Sequence, residues 1–251
     1  MSRALVIAVI FCAAIGRSSA GDNLVSPSGF DSVPGEANNV IPFTWNTARY
    51  QQIYGASSLG ALSGQAITGI AFRVDERDGF DGDYAGGFTY SSLEIRLSIT
   101  PRGVDQLSTN LDANPGPNPI VVYNRPYTIP PLEGDLAVNP FDLRIRIETP
   151  FTYNGGNLLV DILTPNVDTP LPHLDAVNRF DAVNRTYIDS VGNPRAGQDT
   201  LGLITQFEYV PEPTTVALAA FSLLVVGLRR CRSRWSPKCV VETRGRNRGP
   251  A

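Results

Sequence analysis

The sequence predicts an all-β fold, an antiparallel β-sandwich for which a jelly roll is one strand arrangement. Three segments alternate apolar and polar side chains: Thr68–Asp75, Ser92–Thr100 and Phe141–Glu148. Strands with one buried and one wet face produce this period of two. The segments between them are rich in Gly, Pro, Asn and Asp, and no amphipathic helical pattern separates them. That combination is typical of all-β sandwiches.

Four further segments have strand character, and turn-forming residues separate them. They are Pro119–Ile129, Asn157–Leu163, Asn184–Asp189 and Leu201–Val210. Two consecutive glycines in Tyr153–Asn157 predict a hairpin turn. We expect Asp22–Pro42 to be irregular, because it is rich in Pro, Gly, Ser and Asn. We expect the aromatic segment Tyr50–Tyr54 to close one edge of the core.

The sequence contains one tandem repeat. Asp175–Arg179 recurs as Asp181–Arg185, with identical residues six positions later. A single extra copy is too little for a solenoid, which needs several repeats to bury a core. The repeat therefore predicts a local duplication that lengthens a loop or hairpin.

Residues 1–20 have the organisation of a secretory leader. Arg3 precedes the apolar run Ala4–Ile15, and the small residues Ser18 and Ala20 precede an expected cut after Ala20. The run is too short for an ordinary membrane span. We therefore expect residues 1–20 to be a signal peptide, and the alternative is a retained N-terminal membrane helix.

Charge divides the chain into two parts of opposite sign. Residues 21–213 contain 11 arginines, no lysine and 23 acidic residues, which gives a net charge of −12. Residues 229–251 contain eight basic residues and one acid, which gives +7. An acidic domain disfavours nucleic acid, whose binding depends on neutralising phosphates, so we expect no nucleic-acid partner. A basic tail suits anionic lipid at the cytoplasmic face of a membrane.

The three cysteines, Cys12, Cys231 and Cys239, all lie outside residues 21–209. That region therefore has neither a disulfide nor a cysteine-ligated metal. We expect its stability to come from packing of the hydrophobic core.

An acidic loop offers a candidate metal site. Asp75, Asp78, Asp81 and Asp83 lie within nine residues that also include Glu76 and two glycines. Calcium binds several carboxylate and carbonyl oxygens in loops of this composition, although the spacing here does not match an EF-hand. The favoured interpretation is a solvated acidic loop between two strands, and a calcium site formed by the four aspartates is the alternative. No other cofactor is predicted.

The sequence predicts no enzyme. The single histidine, His173, lies in Pro170–Leu174, no serine lies in a G-x-S-x-G motif, and phosphate-binding glycine motifs are absent. We interpret His173 as a loop residue. Glycoside hydrolysis requires two carboxylates across a cleft. Acidic residues are plentiful here and no pair stands out, so a secreted glycan hydrolase is the least favoured alternative.

Aromatic residues cluster early in the domain, at Trp45, Tyr50, Tyr54, Phe88 and Tyr90. Such side chains can stack on sugars, but in a β-sandwich they more often fill the core or close its edge. Core packing is the favoured interpretation, and a carbohydrate-binding surface is the alternative.

The C-terminal part of the chain has three consecutive features. Val210–Pro213 comes first, then a largely apolar run over residues 214–228, then Arg229, Arg230 and Arg232. As a helix the run would extend about 22 Å at 1.5 Å per residue. That is shorter than the ~30 Å hydrocarbon core of a bilayer, and the arginines would stay on the cytoplasmic side. The pattern predicts a transmembrane helix that holds the chain transiently; a plain tail anchor and a buried apolar helix are the alternatives.

This three-part pattern resembles the PEP-CTERM sorting signal of exported bacterial proteins, a segment also called the ice-binding protein C-terminal domain. The sorting motif is Val210, Pro211, Glu212 and Pro213, and the resemblance covers residues 210–234. It implies a partner, an exosortase-type membrane peptidase that removes the tail near the motif. It also implies a bacterium that makes extracellular polysaccharide. The chain departs from the family pattern by continuing well beyond the arginines.

These observations predict four regions: a signal peptide at 1–20, a β-sandwich ectodomain at 21–209, the sorting signal with its transmembrane helix at 210–234, and a basic cytoplasmic tail at 235–251. The expected function is that of an exported structural or adhesive protein of the cell surface or extracellular matrix. The alternative is a carbohydrate-binding module whose partner is extracellular polysaccharide.

Overall fold

The computed structural model describes residues 21–44, 46–76, 83–165, 171–179, 181–189 and 195–211. The described residues lie in one compact unit. The expected signal peptide, most of the sorting signal with its expected transmembrane helix, and the basic tail lie outside the described residues. Within the described part of the chain, no helix has the length and apolar character needed to cross a membrane.

The described chain consists of β-strands and three short 3-10 turns, at Ala56–Ser58, Gly60–Leu62 and Leu111–Ala113. The strands are β1 (Asp22–Ser26), β2 (Ala37–Asn39), β3 (Arg49–Tyr54), β4 (Gln65–Phe72), β5 (Thr89–Thr100), β6 (Ile120–Thr128), β7 (Leu143–Tyr153), β8 (Asn157–Leu163), β9 (Leu174–Asn178), β10 (Val183–Asp189), β11 (Arg195–Asp199), β12 (Leu201–Leu203) and β13 (Thr205–Pro211). All of their pairings are antiparallel. The predicted all-β, antiparallel fold is confirmed.

Two larger sheets and one small sheet make up this fold. The four-stranded sheet has the order β1-β13-β4-β7, the six-stranded sheet has the order β11-β10-β3-β8-β5-β6, and the small sheet has the order β12-β9-β2. Side chains from both larger sheets belong to one apolar cluster. Tyr54 of the six-stranded sheet, for example, packs edge-on against Phe207 of the four-stranded sheet, with ring centroids 5.1 Å apart. The architecture is therefore sandwich-like.

Buried and exposed side chains alternate along β7, as predicted. Leu143, Ile145 and Ile147 are buried in the core, whereas Arg144 and Arg146 between them are exposed. Burying each of the three apolar side chains contributes about 1.5–3 kcal/mol. A slip of one residue would turn these side chains out and the arginines in, so burial fixes the register.

The turn at Asn154–Gly156 does not form the predicted hairpin. β7 pairs with β4 in the four-stranded sheet, whereas β8 pairs with β3 and β5 in the six-stranded sheet. The prediction is wrong because a glycine pair permits a sharp turn without deciding how the flanking strands pair. Crossing between the sheets lets both strands bury apolar side chains in the same core.

The N-terminal segment Asp22–Pro42 is not irregular throughout, as the composition suggested. β1 forms an edge of the four-stranded sheet, and β2 forms an edge of the small sheet. Both strands are short and largely polar. Because each is recruited by a neighbouring strand that is distant in sequence, local composition does not reveal them.

β3, the segment expected to close one edge of the core, is an interior strand of the six-stranded sheet. On its outer face, Ile53 packs with Leu107 of the loop that follows β5. Gln51 is fully buried on the same face: its Nε2 donates to the carbonyl oxygen of Leu111 at 3.0 Å, and its Oε1 accepts from Nδ2 of Asn114 at 2.9 Å. Both faces of this strand are therefore covered.

The tandem repeat does not lengthen a loop or hairpin. Its first copy lies largely in β9 of the small sheet, and its second copy leads into β10 of the six-stranded sheet. Asp175 in the first copy is buried and its counterpart Asp181 is exposed, whereas Arg179 is exposed and its counterpart Arg185 is buried. The two copies thus differ in which charged side chain is buried, because the sheet that each copy joins decides which side chains face the interior.

Substitution of Gly116 tests how the loop after β5 packs on the six-stranded sheet. A Cβ at Gly116 would lie 1.7 Å from the carbonyl oxygen of Ile99, so Gly116→Ala forces the loop away. We expect a loss of about 3 kcal/mol and a thermal midpoint lower by roughly 6–12 °C, measured by near-UV circular dichroism. Gly60→Ala is the control, because a Cβ there meets nothing within 4 Å. Equal midpoints for the two variants would contradict this packing.

Candidate functional sites

The predicted sorting motif begins where β13 ends. This strand lies between β1 and β4, so its backbone is paired on both sides. Val210 is opposite Ala66 and Pro211 is opposite Gln65 in β4. The other residues of the predicted sorting site lie outside the described residues: Glu212, Pro213, Arg229, Arg230 and Arg232.

The first described strand lies beside the last one. Asp22, two residues after the expected leader cut, is opposite Tyr209, two residues before Pro211. The two expected processing points therefore flank the same end of the four-stranded sheet. Removal of residues 1–20 and 212–251 would leave every described strand pairing intact.

The structure places the aspartates of the candidate calcium site in different environments. Asp75 is buried, with 1% of its surface exposed. Asp83 is exposed, and its Oδ1 accepts the backbone N–H of Gly134 at 3.0 Å. Asp78 and Asp81 lie outside the described residues. For Asp75, the favoured interpretation of a solvated acidic loop is wrong, because its carboxylate is buried.

The fold brings together a different set of acidic residues. Asp75, Glu76 and Asp175 each place a carboxylate oxygen within 4.8 Å of the others. The backbone N–H of Asp175 donates to the carbonyl oxygen of Arg73 at 2.9 Å, which aligns the chain beyond β4 with β9. Sequence reasoning missed Asp175, because nothing local indicates that β9 lies beside this segment.

Arg73 and Asp175 form a buried ion pair in which each side chain is 1% exposed. Arg73 Nε donates to Asp175 Oδ2 at 2.7 Å, and Arg73 Nη2 donates to the carbonyl oxygen of Val33 at 2.7 Å. The backbone N–H of Gly35 donates to Asp175 Oδ1 at 2.9 Å. The guanidinium also lies 4.7 Å from the ring centroid of Phe141. This one pair holds three separate stretches of the chain together.

The electrostatics of this cluster favour a structural role. Burial raises the pKa of the Asp175 carboxyl, and the guanidinium of Arg73 opposes the rise without cancelling it. Burial, reinforced by Asp75, also raises the pKa of Glu76. Calcium takes about six to eight oxygen ligands, whereas Arg73 already occupies one side of Asp175.

We therefore expect titration calorimetry with millimolar calcium to give no heat of binding, and a saturable heat would contradict the structural interpretation.

His173 is a loop residue, as predicted, and directly precedes β9. Its carbonyl oxygen accepts the backbone N–H of Asp75 at 2.9 Å. The residue lines a cavity of about 200 Å³ together with Arg185 and Tyr187. Arg185 is held by Asp199 through hydrogen bonds of 2.6 and 2.8 Å. The guanidinium of Arg185, beside His173 in this cavity, thus forms an ion pair that joins β10 to β11.

Three of the five candidate sugar-stacking aromatics are core residues. Tyr50, Tyr54 and Tyr90 are each 1% exposed, and each hydroxyl group forms a hydrogen bond inside the protein. Phe88 is partly buried against the same core, and Trp45 lies outside the described residues. Core packing, the favoured interpretation, is confirmed for the three tyrosines, which are inaccessible to a glycan.

Sequence reasoning missed a group of residues on the outer face of the four-stranded sheet. A cavity of about 450 Å³ there is bordered by Thr68, Arg144, Arg146 and Glu208, among others. The alternation along β7 already indicated that both arginines face solvent. The presence of Thr68 and Glu208 beside them depends on how β4 and β13 pair with β7, which the sequence pattern does not specify.

Comparison of the chain with protein-family models, with curated proteins and with solved structures gives no match.

The variant Arg73→Met tests the buried ion pair. It leaves the Asp175 carboxylate buried without a counter-ion, which costs about 3–5 kcal/mol. Adding Asp175→Asn removes the stranded charge and keeps an acceptor for the N–H of Gly35, so the double variant should recover most of the loss in thermal unfolding. Arg179→Met is the control, because that exposed arginine lies 3.7 Å from Glu36 and such surface pairs contribute about 0–1 kcal/mol.

The loss caused by Arg73→Met should also depend on pH. Without the guanidinium, the pKa of Asp175 in the folded state rises further above its unfolded value of about 3.9. The folded state then binds the proton more tightly than the unfolded state, so the stability of the variant falls as pH rises through this interval. We expect the deficit relative to the parent chain to be smaller near about pH 5 than near about pH 8. A deficit independent of pH would contradict a buried, unpaired carboxylate.

Proposed function

We propose that this chain is an exported bacterial protein of the cell surface or extracellular matrix, with a structural or adhesive role. In this proposal a PEP-CTERM-type signal at residues 210–234 sorts the protein, and an exosortase-type membrane peptidase removes its tail. The observation that carries the proposal is the border at Pro211. The last described strand ends at this residue, within the motif Val210–Pro213, and the sequence continues with the apolar run and the arginines.

The charge distribution supports the same border. Residues 21–211, before it, have a net charge of −11, and residues 229–251 have a net charge of +7. Positive residues stay on the cytoplasmic side of a membrane during insertion. An acidic domain outside and a basic tail inside is therefore the orientation that this distribution favours. It places Pro211 on the outer side, where a surface peptidase would release the domain.

Strand pairing supports processing without damage to the folded domain. β13 is paired with β1 up to Tyr209 and with β4 up to Pro211. A cut beyond this residue removes no described strand. The mature domain would thus keep its core and its ion pairs, and we propose that this is the form displayed at the surface.

We propose a jelly-roll arrangement for the sandwich, and the strand order supports it. One sheet has the order β1-β13-β4-β7, and the six-stranded sheet contains the order β3-β8-β5-β6. The chain therefore changes sheet from β3 to β4, from β4 to β5, from β6 to β7 and from β7 to β8. Eight strands in two sheets with such crossings are typical of jelly rolls. In this interpretation β9–β12 are an insertion before the last strand.

A structural or adhesive role is favoured over glycan hydrolysis by the burial of the clustered carboxylates. Asp75 and Asp175 are each 1% exposed. A hydrolase needs two carboxylates facing a substrate in a cleft, and a polysaccharide cannot reach these. Binding to extracellular polysaccharide stays the second proposal, and the arginines on the outer face of the four-stranded sheet are the observation that favours it.

Mass spectrometry of the native protein from surface and medium fractions tests the processing. We expect mature chains that begin near Gly21 and end near Pro213, because both addressing segments are removed. The variant Glu212→Gln alters the centre of the sorting motif and should accumulate unprocessed in the membrane. Glu148→Gln is the matched control, because it changes an exposed acid of β7 away from the motif. Surface protein that still carries the tail after Pro213 would contradict the processing proposal.

A further inference from the structure

The outer face of the four-stranded sheet contains a groove of about 450 Å³. Arg144 and Arg146 of β7 border it on one side, and Glu208 of β13 borders it on the other. Thr68, which lies in a bulge of β4, and Asn23 of β1 supply further polar groups. The groove therefore crosses all four strands of the sheet and concentrates hydrogen-bonding side chains on one exposed face.

Gly69 leaves room for the side chain of Glu208, on the acidic side of this groove, to reach Arg144 on the basic side. Glu208, Gly69 and Arg146 are consecutive partners across β13, β4 and β7. A Cβ at Gly69 would lie 2.5 Å from Oε2 of Glu208, so a larger residue would displace that carboxylate. In its present position Glu208 Oε1 accepts from Nη1 of Arg144 at 2.9 Å. Nε of Arg144 also donates to the carbonyl oxygen of Phe141 at 2.8 Å, which fixes its guanidinium.

Arg146 differs from the other arginines of the described chain. Most of these are held by carboxylates: Arg49, Arg73, Arg96, Arg125, Arg144, Arg179 and Arg185. Arg102 donates instead to the carbonyl oxygen of Ala113. Among the arginines whose side chains the structure describes, Arg146 is the one with neither a hydrogen-bond acceptor nor an ion-pair partner. Its guanidinium is exposed at the groove and is available to an external anion.

We propose that this groove binds the carboxylate groups of an acidic polysaccharide. A guanidinium presents paired N–H donors that match a carboxylate, and a charged hydrogen bond of this kind is stronger than a neutral one. Arg146 would take the carboxylate, Arg144 would hold a fixed positive charge beside it, and Thr68 and Asn23 would bind neighbouring hydroxyl groups. The inference rests on the proposed function, because only a protein at the cell surface or in the matrix is exposed to such polymers.

The domain's overall charge of −11 over residues 21–209 is compatible with this partner. At about 0.15 M salt the screening length is roughly 8 Å, so acidic groups elsewhere on the surface contribute little at the groove. Within that distance Glu208 already neutralises one of the two arginines. The groove therefore has a small positive excess, which suits a polymer with spaced single charges better than a densely charged lipid surface.

Titration calorimetry with galacturonic acid oligomers tests the proposal on the full chain, held in a detergent that has no sugar headgroup. We expect binding that weakens with added salt, and no binding of neutral galactose oligomers. Arg146→Gln should lower the affinity about tenfold, which corresponds to 1.4 kcal/mol. Arg179→Gln is the matched control, because it removes the same charge from an exposed site outside the groove and should leave the affinity unchanged.

The variant Glu208→Gln supplies a second, opposite test. It removes the competing negative charge and keeps the length of the side chain over Gly69. We expect it to bind the acidic oligomers several-fold more tightly than the parent chain. A weaker or unchanged affinity would contradict the assigned role of Glu208 in the groove.

Several outcomes would overturn the proposal. They are an absence of binding to the folded protein, equal effects of Arg146→Gln and Arg179→Gln, equal binding of neutral oligomers, and binding of anionic phosphatidylglycerol vesicles in place of the oligomers. Fractionation of the same cells distinguishes this from failure of the proposed function. A protein that reaches the surface but does not bind acidic oligomers contradicts the groove proposal alone. A protein retained in the cytoplasm contradicts the proposed function.

Discussion

The buried ion pair between Arg73 and Asp175 is the interaction on which the junction between the four-stranded sheet and the small sheet depends. It joins the chain beyond β4 to β9, and its two partners also bind the backbone at Val33 and Gly35. Such a pair adds little net stability compared with apolar residues of similar size, because both charges lose their hydration. We interpret its main effect as geometric. An arrangement that separated the two residues would leave a buried charge unpaired, at a cost of about 3–5 kcal/mol.

This geometry extends to the parts of the molecule that bear on function. β9 pairs with β12, and the backbone N–H of Ile204, just after β12, donates to the carbonyl oxygen of Asp175 at 3.1 Å. The chain then enters β13, whose end is the proposed sorting border and whose Glu208 forms one side of the arginine groove. The ion pair is thus linked through the backbone of Asp175 and Ile204 to the start of β13, the last described strand, which contains both the proposed processing border and one side of the proposed polysaccharide site.

Local sequence patterns predicted the fold class and the strongest strands, because alternating burial leaves a local signal. The alternation along β7 even indicated that Arg144 and Arg146 face solvent. The pattern could not predict β3 as an interior strand, since Gln51 is buried only because Leu111 and Asn114, distant in sequence, satisfy its amide. The ion pair was equally hidden, and so was the approach of Glu208 across Gly69 to Arg144. Each depends on strand pairing between segments that are far apart in the chain.

Native-state hydrogen exchange at single amides tests most directly whether the ion pair makes the small sheet part of one cooperative core. The amides to follow are those of Asp175 and Ile204 at the junction, with Val160 in β8 as the reference for the centre of the six-stranded sheet. We predict that all three exchange only through global unfolding, with the same opening free energy. Exchange of the Asp175 and Ile204 amides through a local opening, at a clearly lower free energy than that of Val160, would contradict this central role.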